Sequence, residues 1–334
     1  MVELALYHPS GGFYEGGRRA GRGGADYITS PEVGGLFGAV IARALDSWWN
    51  ELGRPEPFVV VEAGAGTGTL AAAILGAGLG APVRYVAVER SGALRAVAAE
   101  RLAGRAVEVV ADLPEGPFEG VVLANELLDN LPFRILQRTG DTSGRQDAPD
   151  RHQFGWGEVF VDENLAEVLR PAEASAADRL APDARAGARI PLQIAARDWV
   201  TAATRSIRRG RVVVIDYADS TPSMASRPWT EWVRTYRGHG RAGSPLDDLG
   251  LADITCEVAV DQLPPPTRDR AQADFLRAHG IDDLVAIARR EWTERAHIGD
   301  LRAMRSRSRV TEASALTDPH GLGAFRVLEW EVPG

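Results

Sequence analysis

The chain has 334 residues, 45% hydrophobic and 25% charged, with a formal net charge of -8, which suits a globular protein of one elaborated domain or two modest ones. Every basic residue is arginine because no lysine occurs, and the net acidity argues against a nucleic-acid-binding role. The single cysteine, Cys256, excludes an internal disulfide and a multi-cysteine zinc site, and the six histidines show no ligand spacing, so no metal is predicted. No apolar run reaches the roughly 18 residues of a membrane helix. The start "MVELALYHPS" lacks the basic and apolar regions of a signal peptide, so the expectation is a cytoplasmic protein without membrane insertion.

In chain order, residues 1–30 are rich in glycine and aromatic side chains and have neither a helical nor an alternating period, so an ordered loop or lid is expected. "TSPE", Thr29 to Glu32, has the spacing of a capping box with proline in the first turn. Behind it "VGGLFGAVIARALDSWWNEL" carries apolar residues at helical intervals and ends before the loop of Gly53 to Pro57. Trp48 and Trp49 are adjacent and cannot share one core direction, which leaves packing under the lid or a partner anchor. Short valine-rich runs then alternate with helical stretches: "FVVVEAG", "TLAAAIL", "VRYVAVE", "SGALRAVAAERLAG", "AVEVVADL" and "EGVVLANEL". This predicts a doubly wound α/β domain with a mostly parallel sheet covered on both faces. Later come a helix in "LQIAARDWVTAATRSIRR", a strand in "RVVVIDYAD", strands in "ADITCEVAV" and "AFRVLEWEV", and a helix in "RAQADFLRAHGIDDLVAIARR" between the last two. Four parts result: a lid loop and helix (1–57), a cofactor-binding core (58–137), an inserted hairpin and helical region (138–190), and the rest of the core with C-terminal strands (191–334).

Within "VVVEAGAGTGTLAAAIL" a strand runs through glycines into a helix N-terminus, an arrangement that brings bare backbone amides to a nucleotide-like ligand. The dinucleotide fingerprint begun at Gly64 needs a glycine where Thr69 stands, and a phosphate-binding loop needs a lysine the chain does not have. The pattern present is Glu62-x-Gly64-x-Gly66-x-Gly68, which resembles that of doubly wound S-adenosylmethionine-dependent methyltransferases. On that resemblance Glu62 faces the cationic end of the cofactor, Gly64, Ala65, Gly66 and Gly68 let it approach, and Pro31 is a further cofactor-binding residue. Glu89, ending the second strand, is placed to accept from both ribose hydroxyls, or else caps the helix that begins near Ser91. Asp112, after the third strand, meets the adenine amino group or is a surface loop residue. After the fourth, Asn125 and Glu126 follow a buried run and need polar partners, from ligand or from neighbouring backbone.

Further blocks resemble the MidA-like family of methyltransferases, whose mitochondrial members act as assembly factors for respiratory complex I. "GGFYEGG" and "GADYITSPEVGGLFG" stand where the family has "GYY" and "GDFITAPE…FG", and Asn125 to Pro132, "NELLDNLP", matches "NEFFDALP" with Asn130 in place of alanine. "IDYA", the segment Arg234 to His239 and "DIT" at Asp253 follow in the family order. The resemblance implies methyl transfer from S-adenosylmethionine to nitrogen, with symmetric dimethylation of an arginine in a protein, a complex I subunit among the candidates. Glu126 and Asp129 are then the carboxylates that hold the guanidinium, Asp129 alternatively an N-cap, with Asp216, Tyr217 or His239 as proton acceptor. Two other functions are compatible with the residues: methylation of a small molecule, and non-catalytic assembly by docking a partner.

Overall fold

The valine-rich runs form parallel strands because both of their faces are covered. In the computed structural model, which describes residues 1–16, 29–140, 155–162, 164–172, 174–237 and 240–334, β1 (Phe58–Ala63), β2 (Val83–Val88), β3 (Val107–Val110) and β4 (Phe118–Asn125) pair in the order β4-β1-β2-β3. Val61 of β1 lies between Val86 of β2 and Val122 of β4. The strand Ile207–Asp216 joins β4 in parallel, and Arg326–Val332 and then Arg268–Ala271 add antiparallel, completing a seven-stranded sheet. One face packs Phe58 and Val60 against Phe37, Ile41, Ile74 and Phe275. The other packs Val59 and Val61 against Ala196, Val200 and Ala203 of the helix Ile194–Arg205. All six β1 residues are buried. Its four large apolar side chains contribute about 1.5–3 kcal/mol each, which outweighs the cost of carrying the Glu62 carboxyl into the same strand. The fold is the doubly wound α/β architecture. The chain order reverses between β1 and β4, so the carboxyl ends of the strands open a crevice there.

Several local expectations are corrected. α1 (Val2–Tyr7) is helical where a loop was expected, because Val2, Ala5 and Leu6 bury against Phe13, Met224, Trp232 and Ile254, most of them far along the chain. The capping box does not form. Thr29 makes no side-chain cap bond to α2 (Ser30–Val33), and the helix breaks at Gly34 before α3 (Gly35–Glu51). The cause is Glu312, whose carboxylate accepts from Leu36 N at 2.8 Å and occupies the place a Cβ on Gly34 would take. Trp48 is buried beside Phe275 and His279, and half-buried Trp49 donates its indole N–H to Pro55 O at 3.1 Å.

β5 (Arg134–Arg138), β6 (Trp156–Val161), β7 (Glu167–Pro171) and β8 (Arg189–Leu192) form a separate antiparallel sheet in the order β7-β6-β5-β8, which therefore begins at 134 rather than 138. The helix read in "LQIAARDWVTAATRSIRR" is shorter at both ends, since Leu192 closes β8 and Ile207 opens a core strand. The helix expected after Arg270 breaks at Gly280, whose φ of 85° separates Gln272–Ala278 from Ile281–Arg295. Asp253–Cys256 lies outside the main sheet, paired with Val233–Arg237. His239 and the lid residues 17–28 lie outside the described residues.

Candidate active site

A cavity of about 650 Å³ opens where β1 to β4 end. Between β1 and α4 (Thr69–Ala77), Gly64, Gly66 and Gly68 adopt φ of 73°, 53° and 72°, the left-handed region that costs glycine nothing. Gly64 N and Ala65 N both donate to Val88 O at 2.9 Å, pinning the loop to β2. A Cβ on Gly66 would meet no protein atom within 4 Å, so the space before it belongs to the cavity. Gly68 has another role. It N-caps α4, a Cβ there would stand 3.0 Å from Leu102 Cδ1, and it is not among the residues lining the cavity, so its bareness serves helix packing.

Glu89 accepts from Gly66 N at Oε2 and from Ser91 N at Oε1, each at 2.8 Å. It therefore locks the glycine loop to the end of β2 and keeps about two of a carboxylate's four acceptor positions for a ligand. Burial raises its pKa against the effect of those two N–H groups. It is not the cap of α5 (Gly92–Arg101), since Ser91 Oγ accepts from Leu94 N. Glu62 accepts from Tyr85 Oη at 2.5 Å, and burial pushes its pKa up to about 7. Asp112 is exposed at the cavity mouth after β3. Asn125 donates to Glu126 Oε1 at 3.0 Å, yet its Oδ1 is buried without a hydrogen-bond partner. Such an orphan acceptor costs about 1–3 kcal/mol unless a ligand supplies a donor.

The other half of the cavity is built around the turn after β4. Glu126 has φ of 52°, a left-handed conformation that costs a non-glycine residue about 1–3 kcal/mol and clusters at functional sites. Its Oε1 accepts from Ser30 N at 3.3 Å, tying the turn to α2, where Pro31 and Glu32 line the same cavity. Asp129 is 1% exposed, accepts from Tyr217 Oη at 2.6 Å and leaves Oδ1 without a partner. Burial raises its pKa well above the usual range, and the charges of Asp253 and Glu126 add to this. It caps no helix. Asp216 is corrected: it is absent from the cavity wall, and its oxygens accept from Leu128 N at 3.0 Å, Asp129 N at 3.3 Å and Tyr217 N at 3.0 Å, so it shapes the turn instead of receiving a proton from a substrate.

Among the cavity residues that escaped the sequence reading of the site are Tyr7, Tyr14, Asn130 and Asp253. Asp253 Oδ1 accepts from Tyr14 Oη at 3.0 Å and Asn130 Nδ2 at 3.1 Å, and burial pushes its pKa up to about 6. Tyr7 donates to Asn130 O at 3.1 Å and stacks on Tyr14 with centroids 5.6 Å apart. A signal existed in "DITC", an acid opening a buried apolar run, as Asn125 and Glu126 close one. Among the described residues the cavity is lined by the carboxylates of Glu32, Glu62, Glu89, Asp112, Glu126, Asp129 and Asp253 against one arginine, Arg90. The open space before Gly66, the acids ending β1 and β2 and the orphan Asn125 oxygen fit a nucleoside that carries a positive charge, as S-adenosyl-L-methionine does.

Residues 40–278 match a family model described as "Putative S-adenosyl-L-methionine-dependent methyltransferase". The Homo sapiens protein named protein arginine methyltransferase NDUFAF7, mitochondrial, is 30% identical, covering 86% of this chain and 70% of its own length. The Danio rerio protein of that name is 26% identical, covering 85% and 72%. A Burkholderia thailandensis crystal structure bound to S-adenosyl-homocysteine matches with a TM-score of 0.77 at 28% identity, over 100% of this chain and 87% of the other. The named relatives are mitochondrial proteins, which overturns the cytoplasmic location expected from the sequence.

Proposed function

Because the chain belongs to this family of S-adenosyl-L-methionine-dependent methyltransferases and takes S-adenosyl-L-methionine as its cofactor, we propose that it methylates the side-chain nitrogen of an arginine in a protein, with symmetric dimethylarginine as the product. The observation that carries this reading is the excess of carboxylates over arginine around the cavity, seven to one among the described residues. Buried carboxylates are costly without a cation, and a guanidinium offers the planar fork of donors that matches them. The arginine methyltransferase names of the relatives support the same acceptor. A respiratory complex I subunit is the partner that the family resemblance implies.

Glu62, Gly64, Ala65, Gly66, Glu89, Asp112 and Asn125 would hold the cofactor, with Pro31 at the lid side. When bound, it supplies the electrophilic methyl group. Glu126 and Asp129 grip the guanidinium, localise its charge and aim one nitrogen. The proton released from that nitrogen goes to Asp129 Oδ1, the oxygen with no hydrogen-bond partner, on a carboxyl whose raised pKa makes it a stronger base than an exposed aspartate. Mass spectrometry of proteins from a strain lacking the gene tests this function. Loss of dimethylarginine from a protein is expected, and an unchanged methylarginine profile overturns the reading.

A further inference from the structure

Asp253 reaches the cavity from outside the doubly wound core, at the start of the strand Asp253–Cys256 in the small three-stranded sheet. It is 1% exposed and lines the cavity with Asp129. The side-chain donors on this pair of acids are neutral: Tyr14 and Asn130 on Asp253, Tyr217 on Asp129. Two buried acids in one wall, held by neutral donors and repelling each other, form an arrangement that a cation between them stabilises. Tyr14 also reaches the cofactor half. Its carbonyl accepts from Ser91 Oγ at 2.8 Å, and Ser91 N donates to Glu89. One tyrosine thus fixes an acid of the acceptor half relative to the loop that carries the acid of the cofactor half.

We propose that Asp253 is a specificity-determining carboxylate of the acceptor site, held in place by Tyr14, which together with Asp129 selects a guanidinium over a neutral group of the same shape. The inference rests on the arginine reading above. A residue serving only to hold Tyr14 works equally well as asparagine, so the charge itself is what a test must probe.

The probes are acetyl-Gly-Arg-Gly-amide and its neutral citrulline counterpart, titrated by calorimetry into protein saturated with S-adenosyl-homocysteine at about pH 8, above the value of about 6 to which burial pushes Asp253. Wild type is expected to bind the arginine peptide and not the citrulline peptide. Asp253→Asn is expected to weaken arginine-peptide binding about tenfold or more, as loss of a charged hydrogen-bonding partner does, with S-adenosyl-homocysteine affinity unchanged and partial recovery in Asp253→Glu. Tyr14→Phe keeps the stacked ring, removes one donor, and is expected to weaken arginine-peptide binding about threefold. Wild type that does not distinguish the peptides sinks the arginine reading and this inference with it. Wild type that does distinguish them, beside an Asp253→Asn variant that binds equally well, removes Asp253 alone. Should Asp253→Asn fail to fold, wild-type arginine-peptide affinity in Tyr14→Phe overturns the inference.

Discussion

Replacing Glu89 by glutamine asks whether the acid ending β2 is the clamp of the cofactor loop. Each carboxylate oxygen accepts one backbone N–H at 2.8 Å, from Gly66 and from Ser91. Glutamine keeps one carbonyl oxygen and turns an NH2 group toward the other N–H, so one of the two contacts becomes donor against donor. Losing one hydrogen bond to a charged acceptor costs about 1.5–3 kcal/mol, roughly a tenfold to hundredfold change in an equilibrium constant. The loop retains its two bonds to Val88 O, so the chain still folds and the loss falls mainly on ligand affinity. Half of the capacity to accept from the ribose hydroxyls goes as well. Calorimetry with S-adenosyl-homocysteine is expected to show the Kd of Glu89→Gln raised by about ten to a hundred times. A Kd within about threefold of wild type refutes the clamp.

Gly66→Val should abolish S-adenosyl-homocysteine binding, because a Cβ there meets no protein atom within 4 Å and points into the cavity, while the φ of 53° adds about 1–3 kcal/mol of backbone strain; retained binding by calorimetry counts against the bare-loop argument. Glu126→Gln is expected to keep S-adenosyl-homocysteine affinity and lose methyl transfer, read by scintillation from a labelled methyl group, and full turnover would remove Glu126 from the mechanism. In Tyr85→Phe, Glu62 loses its 2.5 Å donor. The folded pKa of Glu62, about 7, lies above its ordinary value of 4.5, so its contribution to stability falls as pH rises between these values; the variant raises that folded pKa further, and its deficit appears above it. Urea unfolding should show a deficit of about 1–3 kcal/mol near pH 8.5 and a smaller one near pH 5.5, and equal deficits at both would contradict the assignment. Gly34→Ala drives a Cβ into the Glu312 carboxyl that caps α3 and is expected to cost about 1–3 kcal/mol, checked by the shift in urea midpoint.

Much of the cofactor half was legible because its signals are local. An unbroken valine run reports a strand covered on both faces, and glycines between that run and a helix report backbone with positive φ and space before it. Parallel topology then carries the last residues of neighbouring strands to one edge, so Glu89, Asp112, Asn125 and Glu126 were picked by position and Glu62 by its place in the glycine motif, and all five line the cavity. Gly68 differs: its spacing is that of Gly66, but its Cα faces Leu102 of the following helix. The acceptor half was less visible. Asp129 and Glu126 stood in one quoted block, whereas Asp253, Tyr14 and the true place of Asp216 depended on segments packed from elsewhere.

By itself, then, the sequence determined the doubly wound core, the glycine loop at the cavity and the acids at the strand ends, since each is imposed by the period and composition of a short segment. Only the tertiary structure decided what meets across the cavity: Tyr14 donates to Asp253 across 239 positions, and Glu312 caps α3 from 276 positions away. A segment's own pattern reports which of its faces is buried, while the partner on that face is chosen by the packing of the whole chain.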